Sequence, residues 1–239
     1  MRKIFVGAGH SNTPGRDMGA SGNGYIEGNL TVEFRDKLVK ELKKLGANVT
    51  VDKNDSVFWE TINKFKTLVD TNSIVVDIHF NAAVPAATGT ETLIPEVHTK
   101  FERELAEKVS TVIGETLNIP LRGRKGVKTE AESHHGRLGW MRLNGENILL
   151  EICFITNSND MISYCEKENE LAEKIARVLY NASLEEYNDP KNEYVVQPGD
   201  YLGRIALKNN TSVKELKRIN GLTGDTIYIG QILKLRDLV

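Results

Sequence analysis

The chain has 239 residues, a length that suits one sizeable domain together with a small one. Its 40% hydrophobic and 7% aromatic residues are typical of a globular protein rather than a disordered or fibrous one. The formal net charge of −2 gives no reason to expect nucleic acid or an anionic membrane surface as a partner. No apolar run reaches the roughly 18 residues of a membrane-spanning helix, so we expect no membrane insertion.

The N-terminus has the pattern of a first strand. The segment KIFVGA (3–8) is a short apolar run that ends in small residues, as a buried strand does. The large apolar residues at 4–6 are too few for the apolar core of a secretory signal, so we expect cytoplasmic synthesis without a signal peptide. Cys153 and Cys165 lie in apolar settings and are expected to be buried thiols rather than a disulfide framework.

Beyond this strand, the chain alternates between predicted helices and strands. Helices are predicted where apolar residues recur every three or four positions, and strands where apolar and β-branched residues run together. The alternation favours an α/β domain whose mostly parallel central sheet has helices on both faces. In chain order we predict a helix over 30–45, a strand over 48–52, a helix over 59–69, strands over 73–80 and 88–95, a helix over 99–118, a strand over 146–155 and a helix over 168–186.

The composition changes near residue 190. The polar segment 188–193 contains Pro190 and interrupts the helical pattern, which predicts a linker between domains at 1–187 and 194–239. The second domain is about 45 residues long, near the lower limit for independent folding. Its pattern is a strand, a Pro-Gly-Asp turn, helices over 201–209 and 213–219, and a final strand.

This C-terminal segment resembles the lysin motif (LysM) over nearly all of 194–235. The stretch YVVQPGDYLGRIALKNNTSVKELKRINGL matches the family's opening turn, first helix, Ser-Val helix start and Asn-Gly-Leu exit, and IYIGQILKL matches its last strand. The resemblance implies a βααβ domain that binds the N-acetylglucosamine-containing glycan of peptidoglycan or chitin. Tyr201 and Gly203 depart from the threonine and larger residue that the family usually has. A basic appendage that only stabilises the larger domain is the alternative.

A histidine and a glutamate stand at the two ends of a glycine-rich loop after the first strand. His10 lies just past that strand, where open α/β sheets place their ligands, and Glu27 directly precedes a predicted helix. His79 comes at the end of the 73–80 strand, and adjacent strands lie about 4.8 Å apart. Each residue alone would more often be structural. Together they predict a catalytic zinc site, which takes three nitrogen or oxygen ligands and keeps an open position.

Glu151 is a charged residue inside the apolar segment NILLEICFITN. Burying its carboxylate is costly without a partner, and a salt bridge to a residue such as Arg142 would be a purely structural explanation. Beside a zinc-activated water, however, a glutamate that is not a ligand can take the proton and return it to the leaving amine. We therefore predict that Glu151 is the catalytic base.

Three segments together resemble the signature blocks of the zinc-dependent N-acetylmuramoyl-L-alanine amidases of the amidase_3 type. They are GAGHSNTPGRDMGASGNGYIEGN, DIHFNA and ILLEICFITN. The resemblance covers about residues 2–182 and preserves the order and spacing of the blocks. It implies that His10, Glu27 and His79 hold zinc and that Glu151 is the catalytic glutamate.

The chain departs from this family's pattern at three places. Asp77 stands where serine is usual, and it either orients His79 or merely faces the groove. Cys153 stands where glycine is usual and is expected to pack in the core. The stretch HSNT replaces the usual Gly-Gly after the first histidine, which affects the path of the loop.

Other conspicuous residues have two interpretations each. His134 and His135 could touch substrate or a second metal, but we expect solvated loop histidines. The basic segment 121–128 could meet stem-peptide carboxylates, but a solvated turn leading into a strand is favoured. His98 is expected at the surface, and Trp140 is either a core residue or a platform at the rim of the site.

The two resemblances imply a peptidoglycan hydrolase. It would cleave the amide between N-acetylmuramic acid and L-alanine of the stem peptide, while the LysM holds it on the wall. Such an enzyme without a signal peptide looks like a phage or prophage endolysin that reaches the wall after release, by holin-type export or lysis. The alternatives are a spore or mother-cell lytic amidase, a non-catalytic peptidoglycan-binding protein, and a zinc peptidase that cuts within the stem peptide.

Overall fold

The structure of the protein is a computed structural model that describes residues 1–133, 136–185, 193–209 and 211–235. The chain divides into two compact units, Met1–Tyr187 and Asn188–Val239. His134, His135 and most of the predicted linker lie outside the described residues. In the described part of the chain, no helix is both long and apolar enough to cross a membrane.

The larger unit is built on a central sheet. Its strands are β1 (Lys3–Ala8), β2 (Ser21–Gly22), β3 (Tyr25–Ile26), β4 (Val49–Val51), β5 (Ser73–Asn81), β6 (Glu91–Ile94), β7 (Val127–Thr129) and β8 (Glu146–Phe154). Six of them form the sheet in the order β4-β1-β5-β8-β6-β7, while β2 and β3 form a separate hairpin. Neighbours in the sheet run parallel, except that β6 is antiparallel to β8. The predicted mostly parallel α/β sheet is therefore confirmed.

Helices cover both faces of this sheet. They are α1 (Glu27–Lys44), α2 (Phe58–Lys66), α3 (Lys100–Leu117) and α4 (Ser158–Leu184). Because alternate strand residues point to opposite faces, Val76 joins a large cluster with α1, α3 and α4, whereas Val75 joins a smaller one with Phe65 of α2 and Trp140. Trp140 is fully buried in that smaller cluster and is therefore a core residue rather than a rim platform.

The last helix of the larger unit begins earlier than the predicted start at 168. It starts at Ser158, because the side chain of Asn157 accepts hydrogen bonds from the backbone N–H groups of Asn159 and Asp160. An asparagine in this position satisfies N–H groups that the first turn otherwise leaves unpaired. The prediction relied on apolar spacing and gave this capping signal no weight.

The two cysteines differ in burial. Cys153 is fully buried, with its sulfur 4.0 Å from that of Met161, which confirms the expectation of a packed thiol. Cys165 is exposed, so the prediction of a buried thiol is wrong there. Its neighbour Tyr164 points into the core, and the helical period turns the next residue towards solvent.

The smaller unit has the predicted order of strand, helix, helix and strand. Its elements are β9 (Glu193–Val195), α5 (Leu202–Lys208), α6 (Val213–Ile219) and β10 (Ile232–Lys234), and the two strands pair antiparallel. The Ser212 side chain caps α6 by accepting a hydrogen bond from the N–H of Glu215. Apolar side chains from the helices and from β10, among them Leu202, Leu216 and Leu233, form a core of its own.

Candidate active site

Two histidines meet where β1 and β5 end. The backbone N–H of Gly9 donates to Ile78, which extends the parallel pairing past β1 and brings the residue after it, His10, to the sheet edge. A β-carbon on Gly9 would overlap the ring of His79, so glycine is required at this position for the ring to lie over β1. The rings of His10 and His79 lie edge to face with centroids 4.9 Å apart.

A buried ion pair between α1 and the segment after β4 holds the end of β1 in place. Arg35 of α1 is 1% exposed, and its Nη1 donates to Asp52 Oδ1 at 2.7 Å. The other oxygen of Asp52 accepts a hydrogen bond from the N–H of Ala8. Arg35 also donates to the side-chain oxygen of Asn54. The backbone carbonyl of Asn54 in turn accepts a hydrogen bond from the N–H of Asn12. The pair thus fixes both the strand end and the start of the glycine-rich loop.

The rest of that loop is ordered by the β2–β3 hairpin. Its turn residues, Asn23 and Gly24, both have positive φ angles of 50° and 84°, as a type I′ turn requires. The side chain of Asn23 donates to the carbonyl of Ile155 at 2.9 Å, which ties the hairpin to the end of β8. The hairpin returns the chain to Glu27. The Asn-Gly dipeptide is the sequence signal for this hairpin, which the predicted elements do not include.

Glu27 is held by contacts on both of its oxygens. Its Oε2 accepts from the N–H of Ala20 at 2.8 Å, and its Oε1 accepts from the N–H of Phe80 at 3.1 Å. The same Oε1 lies 3.1 Å from His79 Nδ1 and 3.4 Å from His10 Nε2. Burial by itself would raise the pKa of Glu27, but the hydrogen bond and charge of His79, together with His10 and Ala20, lower it to about 2.

His79 also has a carboxylate on its other side. Its Nε2 lies 3.1 Å from Oδ2 of Asp77, which is 1% exposed. Burial by itself would lower the pKa of His79, but Asp77 and then Glu27 raise it well above its usual value. Asp77 therefore contacts His79 directly. The negative potential that holds a proton on His79 also favours a metal cation in its place.

The three predicted ligands fit a zinc ion. Donor atoms of His10, Glu27 and His79 all lie within 4.8 Å of one another, and two imidazoles with one carboxylate are a donor set that catalytic zinc sites use. His10 Nδ1 is buried, and no described residue offers it an aligned hydrogen bond, although Asp17 Oδ1 lies 3.2 Å away. Three protein ligands leave room for water and substrate.

Glu151 lies beside this set without joining it. It pairs with His79 across β5 and β8, so the two side chains share one face of the sheet. Its Oε2 is buried and has no hydrogen-bond partner within the described residues. Burial raises the pKa of Glu151 to about 8, against His79 and with help from the Glu27 carboxylate. Arg142 does not pair with Glu151, because it binds Glu130 at 2.6 Å instead.

The basic segment 121–128 leads into β7 as predicted, but two of its cations are not simply solvated. Arg122 Nε lies 2.8 Å and Lys128 Nζ lies 2.7 Å from the same oxygen of Glu91. Glu91 is 6% exposed and stands opposite Glu151 in the antiparallel pair of β6 and β8. Sequence reasoning missed Glu91, because no local pattern indicates which strand β6 pairs with or in which direction.

His98, in contrast, has a structural role. It lies just before α3 and is partly exposed, as expected, and its ring makes local contacts. Its Nε2 accepts a hydrogen bond from Arg103 Nε at 3.0 Å, and its Nδ1 lies 3.1 Å from the carbonyl oxygen of Pro95. These contacts engage both ring nitrogens locally.

Two protein-family models match this chain, one over each of its two units. The family model described as N-acetylmuramoyl-L-alanine amidase (Amidase_3) matches residues 4–181, and the LysM domain model matches residues 194–236. The chain is 28% identical over 190 residues to YqiI, an uncharacterized protein of Bacillus subtilis (strain 168), covering 79% of this chain and 85% of YqiI.

A second B. subtilis relative and a solved structure are similar over the larger unit. The chain is 25% identical over 189 residues to the N-acetylmuramoyl-L-alanine amidase LytC, covering 77% of this chain but only 35% of LytC. The crystal structure of N-acetylmuramoyl-L-alanine amidase from Clostridium difficile 630 has a TM-score of 0.59 at 23% identity, covering 75% of this chain and 95% of that chain. This structural likeness concerns the fold.

Proposed function

We propose that this chain, which belongs to the N-acetylmuramoyl-L-alanine amidase family, hydrolyses the amide between the lactyl group of N-acetylmuramic acid and L-alanine of the stem peptide. The observation that carries the proposal is the convergence of His10, Glu27 and His79 beside Glu151 at one edge of the sheet. Perturbed titratable groups gathered at such an edge are typical of a catalytic site.

In this proposal His10, Glu27 and His79 hold a zinc ion. When bound, zinc supplies a Lewis acid that polarises the scissile carbonyl and brings the pKa of a water towards about 7. The protein orients its ligands in advance, since Asp77 contacts the far nitrogen of His79 and the N–H groups of Ala20 and Phe80 hold Glu27. Contacts of this kind fix ligand orientation and are a large part of metal affinity.

Glu151 then moves the proton. It takes a proton from the attacking water and gives it to the leaving amine of L-alanine. The unpartnered Oε2 is available for this task, because no described residue competes for it. The raised pKa of about 8 belongs to the metal-free site, and a nearby dication favours the ionised form that the first step needs.

We also propose that the smaller unit, residues 194–239, binds the N-acetylglucosamine-containing glycan and holds the enzyme on the wall, with residues 188–193 as the linker. The match to the LysM family supports this role. The exposed Tyr201 and Tyr228 offer flat rings with a polar edge, a surface suited to a sugar. Binding there would raise the local concentration of the hydrolase without changing its chemistry.

Within this activity we propose the role of a phage or prophage endolysin made in the bacterial cytoplasm. The combination of a wall hydrolase with a wall-binding unit supports it, and a spore or mother-cell lytic amidase is the second candidate. The timing of expression tests the choice. Transcription after prophage induction is expected, and transcription confined to sporulating mother cells would replace the endolysin role.

Mass spectrometry of purified sacculi after digestion tests the reaction itself. We expect free stem peptides with L-alanine at the amino terminus and glycan strands with unsubstituted lactyl groups. New amino termini inside the stem peptide would identify a zinc peptidase instead. Binding to sacculi without any new terminus would identify a non-catalytic wall-binding protein.

A further inference from the structure

A charged cluster next to Glu151 has no part in the mechanism above. We call Glu91, Arg122 and Lys128 the cationic rim. Both cations bind the same oxygen of Glu91, and Asn81 Nδ2 donates to the other oxygen at 3.3 Å. Two cations on one carboxylate leave the rim with a surplus positive charge.

The strand register places the rim in line with the catalytic residues. His79 pairs with Glu151 across β5 and β8, and Glu151 pairs with Glu91 across β8 and β6. Directly opposed residues have β-carbons about 4.5–5.5 Å apart on the same face. Lys128 lies opposite Leu93, two residues after Glu91, and so faces the same side. The row therefore runs from the metal ligands through the base to the rim.

The open side of the rim is cationic. The side chain of Glu91 is 7% exposed, whereas those of Arg122 and Lys128 are 36% and 21% exposed. The guanidinium of Arg122 lies 4.8 Å from the ring centroid of Phe154, and its Nη1 donates to the carbonyl of Thr88. Nε and Nη1 are thus engaged and hold the guanidinium in place, and Nη2 is the nitrogen that can donate a charge-assisted hydrogen bond to a carboxylate.

The proposed substrate carries its negative charge on one side of the scissile bond only. On the muramic acid side, the lactyl carboxyl is consumed in the amide, and the sugars are uncharged. On the peptide side, the γ-linked D-glutamate that follows L-alanine has a free α-carboxylate, which is amidated in some walls. Resting on the proposed function, we infer that the cationic rim binds this α-carboxylate through Arg122 and Lys128. The stem peptide then lies over β6 and β7.

Two soluble muropeptides that differ only at this carboxylate test the inference. One carries D-isoglutamate after L-alanine and the other carries D-isoglutamine. Charge-assisted hydrogen bonds alter binding by about 10- to 100-fold. Because the rim is partly exposed, we expect the lower end of this range, a kcat/KM about tenfold higher for the D-isoglutamate substrate. The preference should lie in KM, since the rim acts on binding rather than on proton transfer.

Arg122→Gln and Lys128→Gln should each reduce this preference, because they lower kcat/KM for the D-isoglutamate substrate more than for the D-isoglutamine substrate. Either variant leaves Glu91 one cation, so neither strands a buried carboxylate. Lys125→Gln is the matched control, because Lys125 is in the same segment but pairs with Glu107. It should behave like the unmodified enzyme towards both substrates.

Three results would overturn the inference. Equal kcat/KM for the two substrates in the unmodified enzyme would remove the carboxylate contact, and this comparison requires no variant to fold. An equal loss on both substrates in the two rim variants would show that the rim only supports the strands or Glu151. Cleavage of neither substrate by zinc-loaded enzyme would reject the proposed function itself and the rim's ligand with it.

Discussion

Glu27 and Glu151 lie in one site, yet their surroundings differ. Glu27 accepts hydrogen bonds from two backbone N–H groups and contacts both histidines, and its pKa is lowered to about 2. Glu151 is partly buried between His79 and Glu91 of the neighbouring strands, its Oε2 has no partner within the described residues, and burial raises its pKa to about 8. Two carboxylates, one at the start of α1 and one in β8, thus have the environments that the opposite proposed tasks require.

In the proposed mechanism, this contrast separates metal binding from proton transfer. A ligand must stay ionised and in place, which the N–H groups of Ala20 and Phe80 ensure for Glu27. A general base must exchange a proton, which a fixed set of donors would prevent. In many active sites, two neighbouring titratable groups take different roles because their environments push their pKa values apart.

The largest expected effect breaks the Glu27 side of this contrast. Glu27→Gln removes the only carboxylate from the three proposed ligands, so we expect both zinc and hydrolysis to be lost to the level of the metal-free enzyme. Elemental analysis and turnover of a soluble muropeptide measure the two effects together. A variant that retained zinc and turnover would exclude Glu27 as a ligand.

Breaking the Glu151 side should separate the two readouts. Glu151→Gln cannot accept the proton, so turnover should fall by about 10²–10⁴-fold. Zinc content should stay that of the unmodified protein, because Glu151 is not a ligand. Turnover close to the original would place the base elsewhere, and loss of zinc would make Glu151 part of the metal site.

A stability measurement compares Glu151, which has no cationic partner in the described residues, with Asp52, whose carboxylate is paired with the buried Arg35. Arg35→Met leaves Asp52 buried without its cation, and breaking such a pair costs about 3–5 kcal/mol. Denaturant unfolding should show this loss, whereas Glu151→Gln should show none, since no ion pair is broken. The control is Arg177→Met, an exposed pair with Glu173, which should cost less than about 1 kcal/mol. A loss in Arg35→Met no larger than this control would contradict the supporting role of the pair.

The smallest effect leaves both glutamates as they are. A protein of residues 1–187 should cleave soluble muropeptides at close to the full-length rate, because the site lies wholly within the larger unit. On whole sacculi it should lose activity at low enzyme concentration and recover as the wall saturates. Co-sedimentation with peptidoglycan checks the cause. If 1–187 pellets as well as the full chain, the smaller unit does not provide wall retention.

Much of the fold could be predicted because the apolar pattern is local. The strands at β1, β5 and β8 and the helices α1 and α3 differ from their predicted bounds by a few residues at most. The start of α4 was missed, because it depends on one capping side chain, Asn157. The predicted burial of Cys165 was also wrong, because moving one position along a helix turns the side chain by about 100° and can take it from the core side to the solvent side.

The candidate site could be predicted only where residues with metal-binding side chains stand at the end of a strand or at the start of a helix. His10, Glu27 and His79 could be proposed as a set because each stands at the end of an element. Glu91 could not, since its place beside Glu151 depends on β6 running antiparallel in the sheet. Long-range pairing of this kind leaves no mark in the local sequence.

Anomalous diffraction at the zinc edge, from crystals of the zinc-loaded protein, tests the central claim most directly. The account predicts a single strong peak in the larger unit, about 2.0–2.2 Å from donor atoms of His10, Glu27 and His79, with the Glu151 carboxylate outside bonding distance. A peak ligated by Glu151 in place of Glu27, or a peak away from these histidines, would contradict the assignment of the two glutamates to separate roles.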